Sequence, residues 1–387
     1  VAEARRWPVI SALGVGQILT WGSSFYLPAV LAGPVADSTG WPLAWVVGGL
    51  SFGLLVAALA SPHVGAAIHR HGGRPVLACA ALLLAAGLTM LAVAPALPVY
   101  LAGWLLLGLG MGCGLYDPAF ATLGRLYGAA ARPAIAQLTL WGGFASTVCW
   151  PLSAFLVAHV GWRGACLAYA GLHLAVTLPL VLLLIRKAPA WPPSTAYHQA
   201  SAGPLSAPER RAFLLFAGVL ILGGAIMSLV SVHLLALLQA RGVVLAAAVF
   251  YGALIGPAQV GARIVEMSFK GRYHPLWTLT AAMGLVAFGL TLLACGLPGV
   301  GAWLVLYGGG NGIYSIARGT VPLALFGSVR YPLVVGRLAR PGLIAQAVAP
   351  PAGAFVLMHA GPDALWWLLL ALSLANLGLV GALWRVR

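Results

Sequence analysis

The sequence predicts an all-α integral membrane protein: twelve transmembrane helices in two six-helix bundles related by pseudo-twofold symmetry. Three observations lead there. Hydrophobic residues make up 61% of the 387 residues and charged residues only 7%. A water-soluble domain carries charge on roughly a quarter of its residues, so this chain is solvated by lipid. The apolar residues fall into twelve runs, and about 20 residues suffice to cross a bilayer. The second half of the chain also repeats the first.

Polar and Gly/Pro-rich breaks place the runs near 8–33, 42–68, 75–95, 98–124, 133–160 and 163–185 in the first half. Those of the second half lie near 212–239, 243–268, 276–296, 300–327, 340–359 and 364–384. The longer ones predict tilt, or helix that continues past the bilayer. The first run is too long for a signal peptide and has no small-residue cleavage pattern behind it. Residues 187–209 are rich in Pro, Ser and Ala with no apolar period, which predicts a linker. The domain expectation is therefore an N-terminal bundle over 1–186, a cytoplasmic linker over 187–209 and a C-terminal bundle over 210–387.

A net charge of +15 in a soluble protein would point to nucleic acid. Here it follows from topology. With both termini in the cytoplasm, the cytoplasmic side takes all but four of the 21 Lys and Arg residues. Arg163 and Arg241 lie on the far side, and Arg263 and Arg318 within or near the membrane. That bias is the positive-inside rule; it predicts a multi-pass protein of a bacterial inner membrane and removes nucleic acid as a partner. The five cysteines all lie in apolar runs with no CxxC or His-rich neighbourhood, so neither a disulfide framework nor a metal site is expected. No GxxxxGK[ST] stretch implies ATP, and no cofactor is expected.

Three motifs recur about 200 residues apart and in the same order. "SPHVGA" (61–66) returns as "GPAQVGA" (256–262), "GWLLLGLGMGCGLY" (103–116) as "AWLVLYGGGNGIY" (302–314), and "RPAIAQ" (132–137) as "RPGLIAQ" (340–346). Two parallel six-helix halves about an axis along the membrane normal are one known way to build a transporter from such repeats.

On these residues the chain resembles the major facilitator superfamily along essentially its whole length. "GAAIHRHGGR" is similar to that superfamily's loop signature of Gly, three residues, Asp, Arg or Lys, any residue, Gly, then Arg. Gly65, Arg70, Gly72 and Arg74 fit, with His69 where the Asp is expected. The resemblance implies a cytoplasmic gate at this loop, and the His puts a charge lock there at neutral pH in doubt. Trp104 stands where proton-coupled drug antiporters carry an Arg, a departure from that class. "GWRG" (161–164) resembles the short turn between the fifth and sixth spans.

Only two of the six acids lie at membrane depth, Asp117 and Glu266. A charge at a helix centre costs about 2.5–3.5 kcal/mol on insertion scales, so each needs a partner or a wet cavity. Glu266 is three residues from Arg263 and shares its helical face. The two read either as a structural or gating ion pair or as direct contacts for substrate or proton. Asp117 has no positive residue within one turn on its own span. The resemblance implies that spans 1, 4, 7 and 10 line a central cavity, which would set Asp117 and Arg318 on a shared pathway. They read either as a buried pair holding the halves together or as the site of substrate and proton coupling. Gln17, Trp21, Tyr26, Tyr116, His233, Asn311 and Tyr314 are further cavity candidates, each equally able to serve helix packing.

A membrane enzyme would need clustered carboxylates or a metal set, and a pore would need repeated charge rings or filter loops. The sequence offers neither. It predicts a monomeric secondary transporter that moves a small solute by alternating access, with protons and lipid as its other partners. A small organic anion carried with a proton is the first reading; the alternative is export of amphipathic or cationic compounds.

Overall fold

The computed structural model describes residues 6–187, 205–269 and 272–386. The centre of the 187–209 linker, Arg5, Lys270 and Arg387 lie outside the described residues. Among those described, the chain is helical with no strand, and eight helical runs are long and apolar enough to cross a membrane. Two of these runs, Leu97–Leu184 and Val300–Trp384, contain three spans each. Their reversals fall at Gly128 (φ 57°) and Gly161 (φ 70°) in one, and at Gly327 (φ 70°) and Gly361 (φ 81°) in the other. Left-handed backbone of this kind is open to glycine and costly for residues with a Cβ. Twelve spans result, and the turning glycines themselves recur at the repeat interval.

The spans run Trp7–Ser23 with Pro28–Thr39, Leu43–His71, Gly73–Val93, Leu97–Gly114 with Tyr116–Tyr127, 132–160 and 162–184 in the first half. The second half has Ala207–Ala240, Leu245–Ala253 with Ile255–Ser268, Pro275–Ala294, 300–326, 328–360 and 362–384. The seventh span opens on a capping box, in which Ser206 and Glu209 satisfy each other's backbone N–H groups. A further repeat pair lies in "AFLVAHVG" (154–161) and "AFVLMHAG" (354–361). His159 and His359 each hydrogen-bond a Phe carbonyl four residues back, at 2.8 and 2.9 Å, just before the turning glycine.

The chain divides into two compact units. One is Val1–Ala202 together with Ser328–Arg340; the other is Gly203–Gly327 with Pro341–Arg387. The start of the eleventh span thus packs with the first unit. Tyr331 is fully buried there, its ring against Gly124.

Arg163 and Arg241, the two exceptions to the charge bias, do the same work in their separate units. Arg163 donates to the Ala94 carbonyl at 3.4 Å, at the end of the third span, and lies over the Trp162 ring at 4.2 Å. Arg241 donates to the Leu293 and Ala294 carbonyls at the end of the ninth span, and lies over Trp366 at 4.9 Å. It also meets Asp363 at 3.5 Å. A cation at a helix C-terminus fills orphan carbonyls and opposes the negative end of the dipole. Loss of two such charge-assisted bonds should cost about 2 kcal/mol. Arg241→Ala should therefore lower the melting temperature of the purified protein by several degrees, and Arg163→Ala, which loses one bond, by less.

Candidate functional site

In the first unit the site is built on two broken helices. The first span leaves helical geometry at residues 24–27, where Ser24 takes φ −128° and ψ −80° and Pro28 starts the next helix. The fourth span, read from the sequence as continuous, breaks at Leu115 (φ −71°, ψ −167°). Pro118 explains this break, because it has no N–H to donate to the carbonyl four residues back, that of Gly114. Gln17 fills that carbonyl instead: its Nε2 donates to Gly114 O at 2.7 Å, and its Oε1 accepts from Trp21 Nε1 at 3.1 Å.

The break places Asp117 in the first turn of a new helix, Tyr116–Tyr127, with Arg125 in its last turn. A carboxylate at that end is favoured by the helix dipole. Asp117 is half-buried. Tyr116, next to it in sequence, belongs to an aromatic face. Trp21 lies 5.2 Å from Tyr116 and 5.9 Å from Tyr26, and Tyr116 stacks on Phe120 at 5.2 Å. Tyr116 also donates to the Thr139 carbonyl at 3.3 Å, over Gly142, where any side chain would collide with the phenol.

In the second unit the corresponding carbonyl is Gly312 O, and it too receives a polar side chain. Arg263 Nε donates to Gly312 O and to Ser315 Oγ, both at 3.1 Å, and Nη2 reaches Gln259 Oε1 at 3.4 Å. The residue is 4% exposed, and its Nη1 is buried with no hydrogen-bond partner among the described residues. The expected ion pair with Glu266 does not form. Glu266 accepts from Thr278 Oγ1 of the ninth span at 3.0 Å, while Arg263 turns to the tenth. Residues three apart share a helix face, but this face is divided between two neighbouring helices. A Cβ on Gly312 would collide with the Gln259 backbone, so this glycine lets the eighth and tenth spans approach closely. Among the described residues, every acceptor that Arg263 meets is neutral.

The other candidates are distributed as follows. Tyr314 is buried with its hydroxyl over Gly223 of the seventh span, whereas the Tyr116 hydroxyl lies over Gly142 of the fifth. Asn311 and Arg318 are half-buried on the tenth span. His233 hydrogen-bonds the Pro350 carbonyl at 3.0 Å, a packing tie between the seventh and eleventh spans.

At the loop signature the helix Leu43–His71 runs on through His69 and Arg70, then turns at Gly72 (φ 81°) toward Arg74. A Cβ on Gly65 would lie 2.5 Å from the Pro332 carbonyl and 3.0 Å from Gly336 Cα, so only glycine permits this backbone approach. Half-buried His69 lies close enough to Arg125 for their charges to interact. Trp104, at the position of the antiporter Arg, is fully buried against Gly49. Among the described residues no group of three or more His, Cys, Asp and Glu could hold a metal ion.

The family model of the Major Facilitator Superfamily matches residues 13–326. The chain belongs to the Major Facilitator Superfamily. It is a multi-pass membrane transporter, with twelve helices in two halves. Its sequence is 30% identical over 353 residues to human monocarboxylate transporter 11, covering 90% of this chain and 71% of that one. It is 28% identical over 299 residues to rat monocarboxylate transporter 3, covering 73% and 60%. In fold it is similar to the human organic anion transporter MFSD10, with a TM-score of 0.75 at 20% identity over 97% of this chain and 99% of that one. It is also similar to the transporter FucP in its outward conformation, with a TM-score of 0.76 at 14% identity over 97% of each chain.

The sequence left Arg263 either in a local pair with Glu266 or in direct contact with substrate or proton, and of these the pair is absent. One signal was present: Gln259 stands one turn before it, an acceptor without the charge to neutralise a buried guanidinium.

Proposed function

We propose that this chain is a proton-coupled transporter of small organic anions, monocarboxylates first. It acts in a cell membrane with both termini cytoplasmic, the orientation favoured by its Lys/Arg bias. The observation that carries this reading is the Arg263 guanidinium. A buried cation is costly unless its charge is met. Arg263 has neutral acceptors on Nε and Nη2 and an open Nη1. A carboxylate that arrives from outside supplies the missing charge, and the planar fork of Arg suits it. The sequence relatives named as monocarboxylate transporters point to the same class.

Asp117 and Arg318 are the proposed coupling residues. Asp117 is a half-buried carboxylate at membrane depth, in the first turn of the helix that follows the break in the fourth span. Proton uptake at Asp117 would accompany anion entry and leave the loaded carrier closer to neutral. The Gly65 loop, with His69, Arg70, Gly72 and Arg74, is the proposed gate.

Binding tests this reading directly. A ligand that binds only the native state raises its melting temperature, by about 2.7 kcal/mol of stabilisation at 100 times its Kd. Short-chain monocarboxylates should stabilise the purified protein, and amphipathic cations should not. Stabilisation by cations alone would favour the exporter reading, in which Asp117 and the Trp21, Tyr26 and Tyr116 rings hold the ligand.

A further inference from the structure

The sixth span contains the one wide helical turn among the described residues, His173–Thr177. There the Leu178 N–H bonds the His173 carbonyl five residues back rather than four. Such turns hold an extra residue at a cost in regular bonding, and they concentrate at functional sites. The His173 ring is 0% exposed and its Nε2 lies 2.8 Å from Ser23 Oγ. Its Nδ1 and the hydroxyl of Thr177, one turn on, are both buried without a hydrogen-bond partner among the described residues. Thr177 packs its methyl toward Gly16 of the first span.

Ser23 is the last residue of the helix Trp7–Ser23. The chain then loosens in the same sense as the sixth span: the Tyr26 N–H reaches back five residues, to the Trp21 carbonyl at 2.9 Å. Two adjacent helices are therefore wound wide at one level, joined by a His–Ser bond.

The second half provides an internal control. Its sixth helix also ties to its first, since Asn376 Nδ2 donates to the Val219 carbonyl at 3.4 Å. There the first helix is unbroken over Ala207–Ala240, and residues 362–384 contain no wide turn. A polar tie alone is common to both halves. Only the tie made by His173 meets a broken helix, and only there is the partner helix widened to bring the side chain to the break.

We propose that His173 is a positioning residue which, through Ser23, fixes the break in the first span and so sets the Trp21, Phe25 and Tyr26 face. Its effect on transport rests on Trp21 and Tyr26 lining the cavity of the proposed anion carrier, as the sequence suggests; its effect on the break does not.

Amide hydrogen exchange and anion uptake on the same variants test this. His173→Leu keeps bulk and burial without a polar atom, Ser23→Ala removes one oxygen, and His173→Gln keeps a donor and an acceptor. A buried hydrogen bond is worth roughly a tenfold change in a local opening equilibrium. Exchange at residues 24–27 should rise by about that factor in His173→Leu and Ser23→Ala, and stay near wild type in His173→Gln. KM for the anion should rise in the first two variants with little change in maximal rate. Unchanged exchange at 24–27, or a rise spread evenly over the unit, would overturn the proposal. Should His173→Leu fail to fold, Ser23→Ala decides alone. If the wild type moves no anion, the functional reading fails while the exchange result still stands.

Discussion

Arg263→Met should abolish organic-anion transport while leaving the protein folded, and more stable than the wild type. The two effects have one origin. A buried guanidinium that meets only neutral acceptors is a standing cost, which the apolar replacement removes. With a carboxylate bound, the same charge is matched, and deleting it costs about 3–5 kcal/mol, or roughly two to four orders of magnitude in affinity. Arg263→Lys retains the charge but loses the planar fork, so its affinity should fall by roughly tenfold. The readouts are melting temperature and anion-induced stabilisation, taken on the same samples. A destabilised Met variant that still binds anions would make Arg263 a packing residue.

Asp117→Asn should separate anion movement from proton movement. Asn matches the shape of the protonated acid and cannot lose a proton. Exchange of internal for external anion needs no net proton transfer and should survive. Accumulation driven by an inward proton gradient should fall by roughly tenfold or more, within the usual range of coupling energies, and its rise at acid external pH should flatten. Parallel loss of exchange and accumulation would instead place Asp117 in substrate binding or packing. An unchanged pH profile would remove it from the mechanism.

Much of the fold is legible from the sequence because lipid imposes one simple rule on a spanning segment. Every backbone polar group must be satisfied internally, so apolar runs become helices. The runs near 42–68 and 276–296 correspond closely to Leu43–His71 and Pro275–Ala294. Breaks inside spans are harder to read because they depend on a partner from elsewhere in the chain. Pro118 marks a weak point, but Gln17, 97 residues away, makes the freed Gly114 carbonyl tolerable. Asp117 stands out from composition alone, since acids at membrane depth are rare. Arg263 is harder to interpret. Helical spacing puts it on a face with Glu266, yet it cannot show that Thr278 takes the carboxylate and that the Gly312 carbonyl takes the guanidinium. His173 looks like a lone histidine until Ser23 is found beside it.

The most direct test of the central claim is uptake of a labelled short-chain monocarboxylate into proteoliposomes under an imposed inward proton gradient. Proton-coupled anion transport predicts accumulation above equilibrium, collapse of that accumulation by a protonophore, acidification of the lumen in step with uptake, and none of these with Arg263→Met. Uptake indifferent to the gradient, or equal uptake by Arg263→Met, would contradict it.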